Sequence, residues 1–384
     1  MKRAPLLVAL FLAAIALRPQ LVGIGPLLPL VQDDLDVTHA VAGLLGTIPV
    51  LCMGLFAPPA SFLSGRIGSR RAVAVALALI GTFGVARAVA PGAIAVILLT
   101  FPVGVGMGLA GAMLPVAVKE RFSDRPGFAT GVYTSGITIG SALAAASAVP
   151  LAHLVGGWRT PLLTFGAVST ALAMLWLWLT RTEPAHVRVD VRPLRLPFRR
   201  LLAWRLVAAF FFMSSVFYGL NAWLPDAYVE RGWSQSSAGG LLAVLNTVTI
   251  PVGFGVAWAA DHWGSRRGWL AGAATLQLGA LLGIVLWPAG GWGWAVLLGM
   301  AIGPLFPLTM TLPLDAAERP AEVAALAGMM LGVGYTLSAS SPLLLGALRD
   351  LTGGFDAVLW ALVGAAAILI VVDSSFSPKR LGRA

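Results

Sequence analysis

Residues 64–71 read Ser64-Gly65-Arg66-Ile67-Gly68-Ser69-Arg70-Arg71, and residues 260–267 read Ala260-Asp261-His262-Trp263-Gly264-Ser265-Arg266-Arg267. Both end in Gly-Ser-Arg-Arg, at an offset of 196 residues in a chain of 384. The same ungapped shift lays Leu28-Pro29 over Leu224-Pro225, Ala42-Gly43 over Ala238-Gly239 and Leu45 over Leu241. Small apolar residues match by chance in hydrophobic sequences, but each Gly-Ser-Arg-Arg falls in the connection after a second apolar run, where coincidence has less freedom. One register relates the two halves of the chain.

Outward from these loops the sequence is apolar. Hydrophobic residues make up 58% and charged residues 11%, against about 45–50% and about 25% in an average soluble domain, which excludes a water-soluble globule. Apolar runs cover residues 5–29, 40–63, 72–90, 93–118, 127–150 and 160–180. After a basic stretch from Arg181 to Arg205 they resume at 206–225, 238–260, 268–288, 292–313, 322–346 and 357–373. Crossing a bilayer takes about 20 mostly apolar residues, so twelve spans consume roughly 250 and leave no room for a separate catalytic domain. The expected fold is an all-α membrane protein, twelve transmembrane helices in two pseudo-symmetric six-helix bundles. Residues 1–182 form the first bundle, 183–203 a basic linker and 204–384 the second bundle. The first run resembles a signal peptide, but it is too long, carries Arg18 and lacks a small-residue cleavage site.

The formal charge of +10 reports membrane topology rather than nucleic acid, because a DNA-binding surface must be wet and most of this chain cannot be. Lys2, Arg3, Arg66, Arg70, Arg71, Lys119, Arg121, Arg125, the stretch 181–205, Arg266, Arg267, Arg319, Lys379, Arg380 and Arg383 fall on one side. By the positive-inside rule that side is the cytoplasm, with both termini inside an inner or plasma membrane. The opposite loops hold Arg159, Arg231 and Arg349 beside Asp33, Asp34, Asp36, Asp226, Glu230, Asp350 and Asp356. The single cysteine, Cys52, excludes an internal disulfide framework, and no Cys/His spacing suggests a metal or a cofactor.

The connection between the second and third runs resembles the Gly-x-Leu-Ala-Asp-Arg-x-Gly-Arg-Arg loop of the major facilitator superfamily. The first copy keeps Leu63, Arg66, Gly68, Arg70 and Arg71 with Gly65 in the Asp place; the second keeps Asp261, Gly264, Arg266 and Arg267 with His262 in the Arg place. The resemblance implies two bundles that rock in alternating access, with Arg66, Arg70, Arg71, Asp261, Arg266 and Arg267 in a cytoplasmic latch. In the first half Gly65 obliges that latch to use another acceptor. Three further stretches are similar to the cyanate permease and nitroimidazole exporter branch. They are Ala16-Leu17-Arg18-Pro19 with Gly25-Pro26-Leu27-Leu28-Pro29, Met113-Leu114-Pro115 with Lys119 and Phe122, and Arg125-Pro126-Gly127 with Thr130-Gly131-Val132-Tyr133-Thr134. That branch has Asn where this chain has Ala16 and Gly111.

Arg18 lies roughly 20 Å into the first span at 1.5 Å per residue. A mid-membrane Arg costs from about 2.5 to over 10 kcal/mol, so it should face a hydrated cavity or a partner. No acidic residue lies near the middle of any expected span, which leaves water, carbonyls, a phenol or a transient anionic solute. The guanidinium fork suits a carboxylate or another small planar anion; the alternative is that Arg18 caps carbonyls freed by Pro19. Arg87, toward the far end of the third span, is expected to snorkel to the interface.

Tyr133, Tyr218, Asn221, Asn246 and Tyr335 fall at mid-depth and could line one chamber with Arg18, or bond between neighbouring helices. Gly104, Gly106, Gly108, Gly111, Gly136, Gly140, Gly328 and Gly332 are read as close-packing positions. All four histidines fall at span ends or in connections, so no proton relay is legible. The expected function is a monomeric secondary transporter of a small organic or inorganic anion, with the lipid bilayer as its other partner. The alternatives are an exporter of neutral or cationic drug-like compounds, and a membrane sensor or scaffold without transport. An intramembrane enzyme would need a nucleophile, metal ligands or paired carboxylates at one depth, and the sequence offers none.

Overall fold

The computed structural model describes residues 4–122, 126–181, 196–262, 266–317 and 320–376. The first half contains α1 (Ala4–Ile15), α2 (Pro19–Val22), α3 (Leu28–Leu35), α4 (His39–Ile67), α5 (Ser69–Ala88), α6 (Ala93–Arg121), α7 (Pro126–Val155) and α8 (Arg159–Leu179). The second contains α9 (Leu201–Glu230), α10 (Gln235–His262), α11 (Arg266–Leu286), α12 (Gly291–Ala316), α13 (Pro320–Ser338), α14 (Ser340–Thr352) and α15 (Asp356–Ser374). With α1 to α3 forming one interrupted span and α13–α14 another, twelve helical units are long and apolar enough to cross a membrane. Residues 183–195 of the expected linker lie outside the described residues, and α9 already begins at Leu201.

The helices run past the apolar runs at one end. Asp33 and Asp34 sit on α3, Asp226 and Glu230 on α9 and Asp350 on α14, where connections were expected. Hydropathy marks the thickness of the hydrocarbon slab, whereas backbone bonding lets a helix continue beyond it. The first Gly-Ser-Arg-Arg copy does its work in the backbone: Gly68, at φ 81°, turns α4 directly into α5, a conformation that costs glycine little. Large apolar side chains such as Val8, Leu55, Leu98, Leu154 and Ile368 remain exposed on the helix exteriors, as a lipid-facing surface requires. Trp178, Trp204, Trp287 and Trp292 are exposed close to helix ends, the depth at which indoles anchor to the membrane interface.

The core is divided unequally along the membrane normal. Toward the acidic end, one apolar cluster crosses the halves, joining Ile24, Leu28 and Leu45 to Val216, Trp223, Leu224, Leu345 and Phe355. Toward the basic end there are two separate clusters. One draws only on the first half, from Leu6 and Leu10 to Leu114 and Trp176, and the other only on the second, from Leu206 and Phe210 to Leu326 and Leu369. Among the described residues, the bundles are therefore welded from the acidic face to mid-depth and packed independently below it.

Candidate functional site

Pro19 has no N–H to give the carbonyl of Ile15, and its ring clashes with that carbonyl in a continuous helix; α1 accordingly ends at Ile15. Two glycines of α7 back this ending: a Cβ on Gly136 would stand 2.5 Å from Phe11 O, and one on Gly140 2.4 Å from Ile15 O. These two, with Gly104, Gly106 and Gly108, pack as closely as expected, whereas Gly111 and Gly332 face open space. After the break, the Arg18 carbonyl accepts from Leu21 N–H at 3.0 Å and Val22 N–H at 2.9 Å, starting the short α2.

The Arg18 side chain leaves this break toward the other bundle. Its Nη1 donates to the Tyr218 hydroxyl on α9 at 2.7 Å and approaches Met53 Sδ on α4 at 3.9 Å. The guanidinium carbon lies 5.8 Å from the Tyr218 ring centroid. Tyr335 of α13 brings a second phenol to the guanidinium, its ring 6.4 Å from that of Tyr218 and edge-on to Phe210 at 4.7 Å. No carboxylate pairs with Arg18 among the described residues. Of the sequence-based partners, the phenol is the one realised, and the contacts of Nη1 run to Tyr218 and Met53 rather than to carbonyls of the first span.

The other candidates are distributed differently. Asn246 Nδ2 donates to Asn221 Oδ1 at 3.1 Å and to Leu242 O at 3.0 Å, while Asn221 Nδ2 donates to Phe217 O at 2.8 Å. The two amides close on each other and on helix backbones between α9 and α10. Tyr133 packs beside the first-half cluster at the basic end, and no described contact links it to Arg18. In the loop motif, Arg70 finds the acceptors that Gly65 cannot provide. Its Nε donates to Thr180 Oγ1 at 3.1 Å and its Nη2 to Leu177 O at 3.0 Å, at the carbonyl-rich end of α8 where a cation is favoured. Arg66 and Arg71 are exposed; the side chains of Asp261, Arg266 and Arg267 lie outside the described residues.

Arg87 corrects the expectation of a snorkelling side chain, for it is 0% exposed. Its Nη2 donates to the Gln20 carbonyl at 2.8 Å and to Gln20 Oε1 at 2.6 Å, and its Nη1 to Thr100 Oγ1 at 3.2 Å. Gln20 Nε2 in turn donates to Leu162 O at 3.0 Å. Gly84 leaves the space this requires: a Cβ there would meet Gln20 Nε2 at 2.4 Å. The legible signal was Gln20 itself, an amide two residues beyond Arg18 in an otherwise apolar run.

A further group, which the sequence reading missed, closes the acidic end. The Asp350 carboxylate accepts from His39 N–H at 3.1 Å and Ala40 N–H at 2.7 Å, and pairs with His39 Nδ1 at 2.8 Å. His39 Nε2 lies 3.6 Å from Asp226 Oδ2, which also receives Gln32 Nε2 at 3.4 Å. These contacts tie α3 and α4 to α9 and α14. Backbone follows: Cβ atoms on Gly25, Gly43 and Gly346 would lie 1.8 Å from Asn221 O, 2.6 Å from Pro342 O and 2.4 Å from His39 O.

Two helical bundles meeting around a half-buried cation define a membrane carrier, not an enzyme. The sequence pattern of the Major Facilitator Superfamily matches residues 6–339, and the chain belongs to that family. It is 30% identical over 378 residues to the cyanate transport protein CynX of Escherichia coli (strain K12), covering 98% of each chain. It is also 30% identical over 359 residues to the 2-nitroimidazole transporter of the same organism, covering 93% of this chain and 91% of that one. Among solved structures, the inward-facing, unoccupied bacterial homolog to the human lysosomal transporter Spinster superposes with a TM-score of 0.78 at 18% identity, covering 99% of this chain and 97% of that one. That likeness speaks to fold alone.

Proposed function

We propose that this transporter carries a small monovalent anion by alternating access, with Arg18 as the group that binds it. The observation that carries the reading is a guanidinium in the break of the first span, at the junction of the bundles, bonded to a phenol and with no carboxylate partner among the described residues. Such a charge gains most from a ligand of opposite sign, and a planar anion matches its fork. The relative whose name specifies cyanate transport supports this class of cargo. Tyr218 and Tyr335 supply hydroxyls and ring faces that orient an anion without competing charge, while the Asn221–Asn246 pair and Tyr133 belong to the wider chamber.

In this reading the basic face is cytoplasmic, both termini lie inside an inner or plasma membrane, and residues 183–203 link the bundles 1–182 and 204–384 of a monomer. The weld at the acidic end then closes the outside. The Arg70 contact with α8, the neighbouring Arg66 and Arg71, and their second-half counterparts Asp261, Arg266 and Arg267 form the cytoplasmic latch. Carrying one negative charge inward against 100 mV costs about 2.3 kcal/mol, so uptake needs exchange or a co-transported cation, whereas export runs with the field.

The test is binding and flux of cyanate, nitrate, formate and acetate by purified protein, in detergent and in proteoliposomes. Arg18→Ala is expected to abolish binding while the protein stays folded, and Arg18→Lys to weaken it severely because a point charge replaces a fork. Wild-type affinity in Arg18→Ala rejects the assignment. Flux of neutral aromatic solutes that ignores Arg18 would favour the drug-exporter alternative, which the ring wall of Phe210, Tyr218 and Tyr335 also suits.

A further inference from the structure

Arg87 is a cation enclosed on every side, and two of its three bonds converge on one residue. The short helix α2 ends at Val22, so the Gln20 carbonyl lacks the N–H that a continuing helix would supply four residues on. Arg87 Nη2 fills that place and at the same time holds the Gln20 side chain, while Thr100 and Leu162 anchor the other ends of the network on α6 and α8. Gln20 is two peptide units from Arg18, at most about 7 Å of chain. Its backbone is therefore clamped by three helices of the first bundle immediately beside the residue whose side chain crosses to the second.

A neutral donor would serve to cap a carbonyl. A buried guanidinium is an expensive choice for that purpose, since desolvating a charge costs several kcal/mol, and no carboxylate repays it among the described residues. The expense makes sense where an irregular segment has to be held rigid: one guanidinium reaches the Gln20 carbonyl, the Gln20 side chain and Thr100 at once.

Resting on the anion-binding reading above, we infer that Arg87 and Gln20 form a positioning pair for Arg18. They fix the broken segment so that the Arg18 guanidinium points between the bundles.

The experiment uses full-length protein and the same four anions, comparing Arg87→Lys, Arg87→Met, Gln20→Leu and the double variant Gln20→Leu/Arg87→Met. Single changes leave a buried side-chain partner unsatisfied and can impair folding; the double change removes the buried charge and both polar side chains, and the desolvation regained offsets the donor lost to the carbonyl of residue 20. The double variant is expected to melt near wild type yet bind the preferred anion roughly tenfold to a hundredfold more weakly, as misplacing a binding group does. Arg87→Lys, keeping a charged donor, should recover part of that loss. Wild-type affinity in a folded double variant overturns the proposal and leaves Arg18 as the binding group. Unchanged binding in Arg18→Ala, or no binding of any of the four by wild type, instead overturns the anion-binding reading and this inference with it.

Discussion

At the acidic end the two halves share one apolar cluster, three glycines bring backbones into contact, and His39 bridges carboxylates of two opposing helices. At the basic end each half keeps its own core, and the clearest polar contact, Arg70 with Leu177 and Thr180, stays within one bundle. Pseudo-symmetric halves thus meet asymmetrically along the membrane normal. Interactions that cross between bundles set the conformational equilibrium; interactions within a bundle set only its stability. The distinction sorts residues of the same type into different roles.

The largest disturbance should come from Gly25. A methyl there would stand 1.8 Å from the Asn221 carbonyl, so Gly25→Ala must push the acidic ends apart. In a Cys52→Ser background carrying Ala222→Cys, it is expected to raise labelling by a membrane-impermeant thiol reagent on the acidic side on the order of a hundredfold, since a shift of about 3 kcal/mol suffices for that. Unchanged labelling would mean that the weld is not what closes this end. Next comes Asp350→Asn, which halves the carboxylate's hold on the N–H groups that begin α4 and on the His39 ring. A loss of about 1–2 kcal/mol is expected, seen as roughly tenfold faster labelling at the same position.

By contrast Arg231–Asp356 at 3.0 Å, Arg349–Glu230 at 2.9 Å and Arg159–Asp34 at 3.3 Å each join residues of one half. Arg231→Gln should leave the labelling ratio untouched and lower thermal stability by about 1–2 kcal/mol, because Arg231 also donates to the Ile284 carbonyl at 3.0 Å within the same half. Arg70→Ala is expected to act on a similar scale, lowering the melting temperature by a few degrees through lost bonds at the end of α8. A shift in bundle separation from either change would dissolve the contrast between crossing and internal contacts.

The twelve spans and their two-fold repetition were legible because hydrocarbon thickness and the Gly-Ser-Arg-Arg register are written in composition and spacing. Arg18 was legible as a charge out of place, and Pro19 announced the break beside it. What escaped were properties of pairs. Arg87 read as a helix-end cation because its partner lies two spans away in sequence; Gln20 and Thr100 meet it only once α5 packs on the first span and on α6. His39 and Asp350 are separated by 311 residues, and each alone resembles an ordinary polar residue at a helix end. Asn221 and Asn246 were legible as polar residues at mid-depth, but the bond between their amides was not. Depth follows from hydropathy, but direction around a helix axis needs the neighbours.

The Arg18–Tyr218 bond spans the seam, with donor and acceptor on opposite rocking bodies. In the proposed reading, an anion that takes Nη1 from the phenol cuts one strut between those bodies at the moment it inserts another. Occupancy and mechanical slack would then be a single event: an empty carrier held by its own tyrosine, a laden one by its passenger.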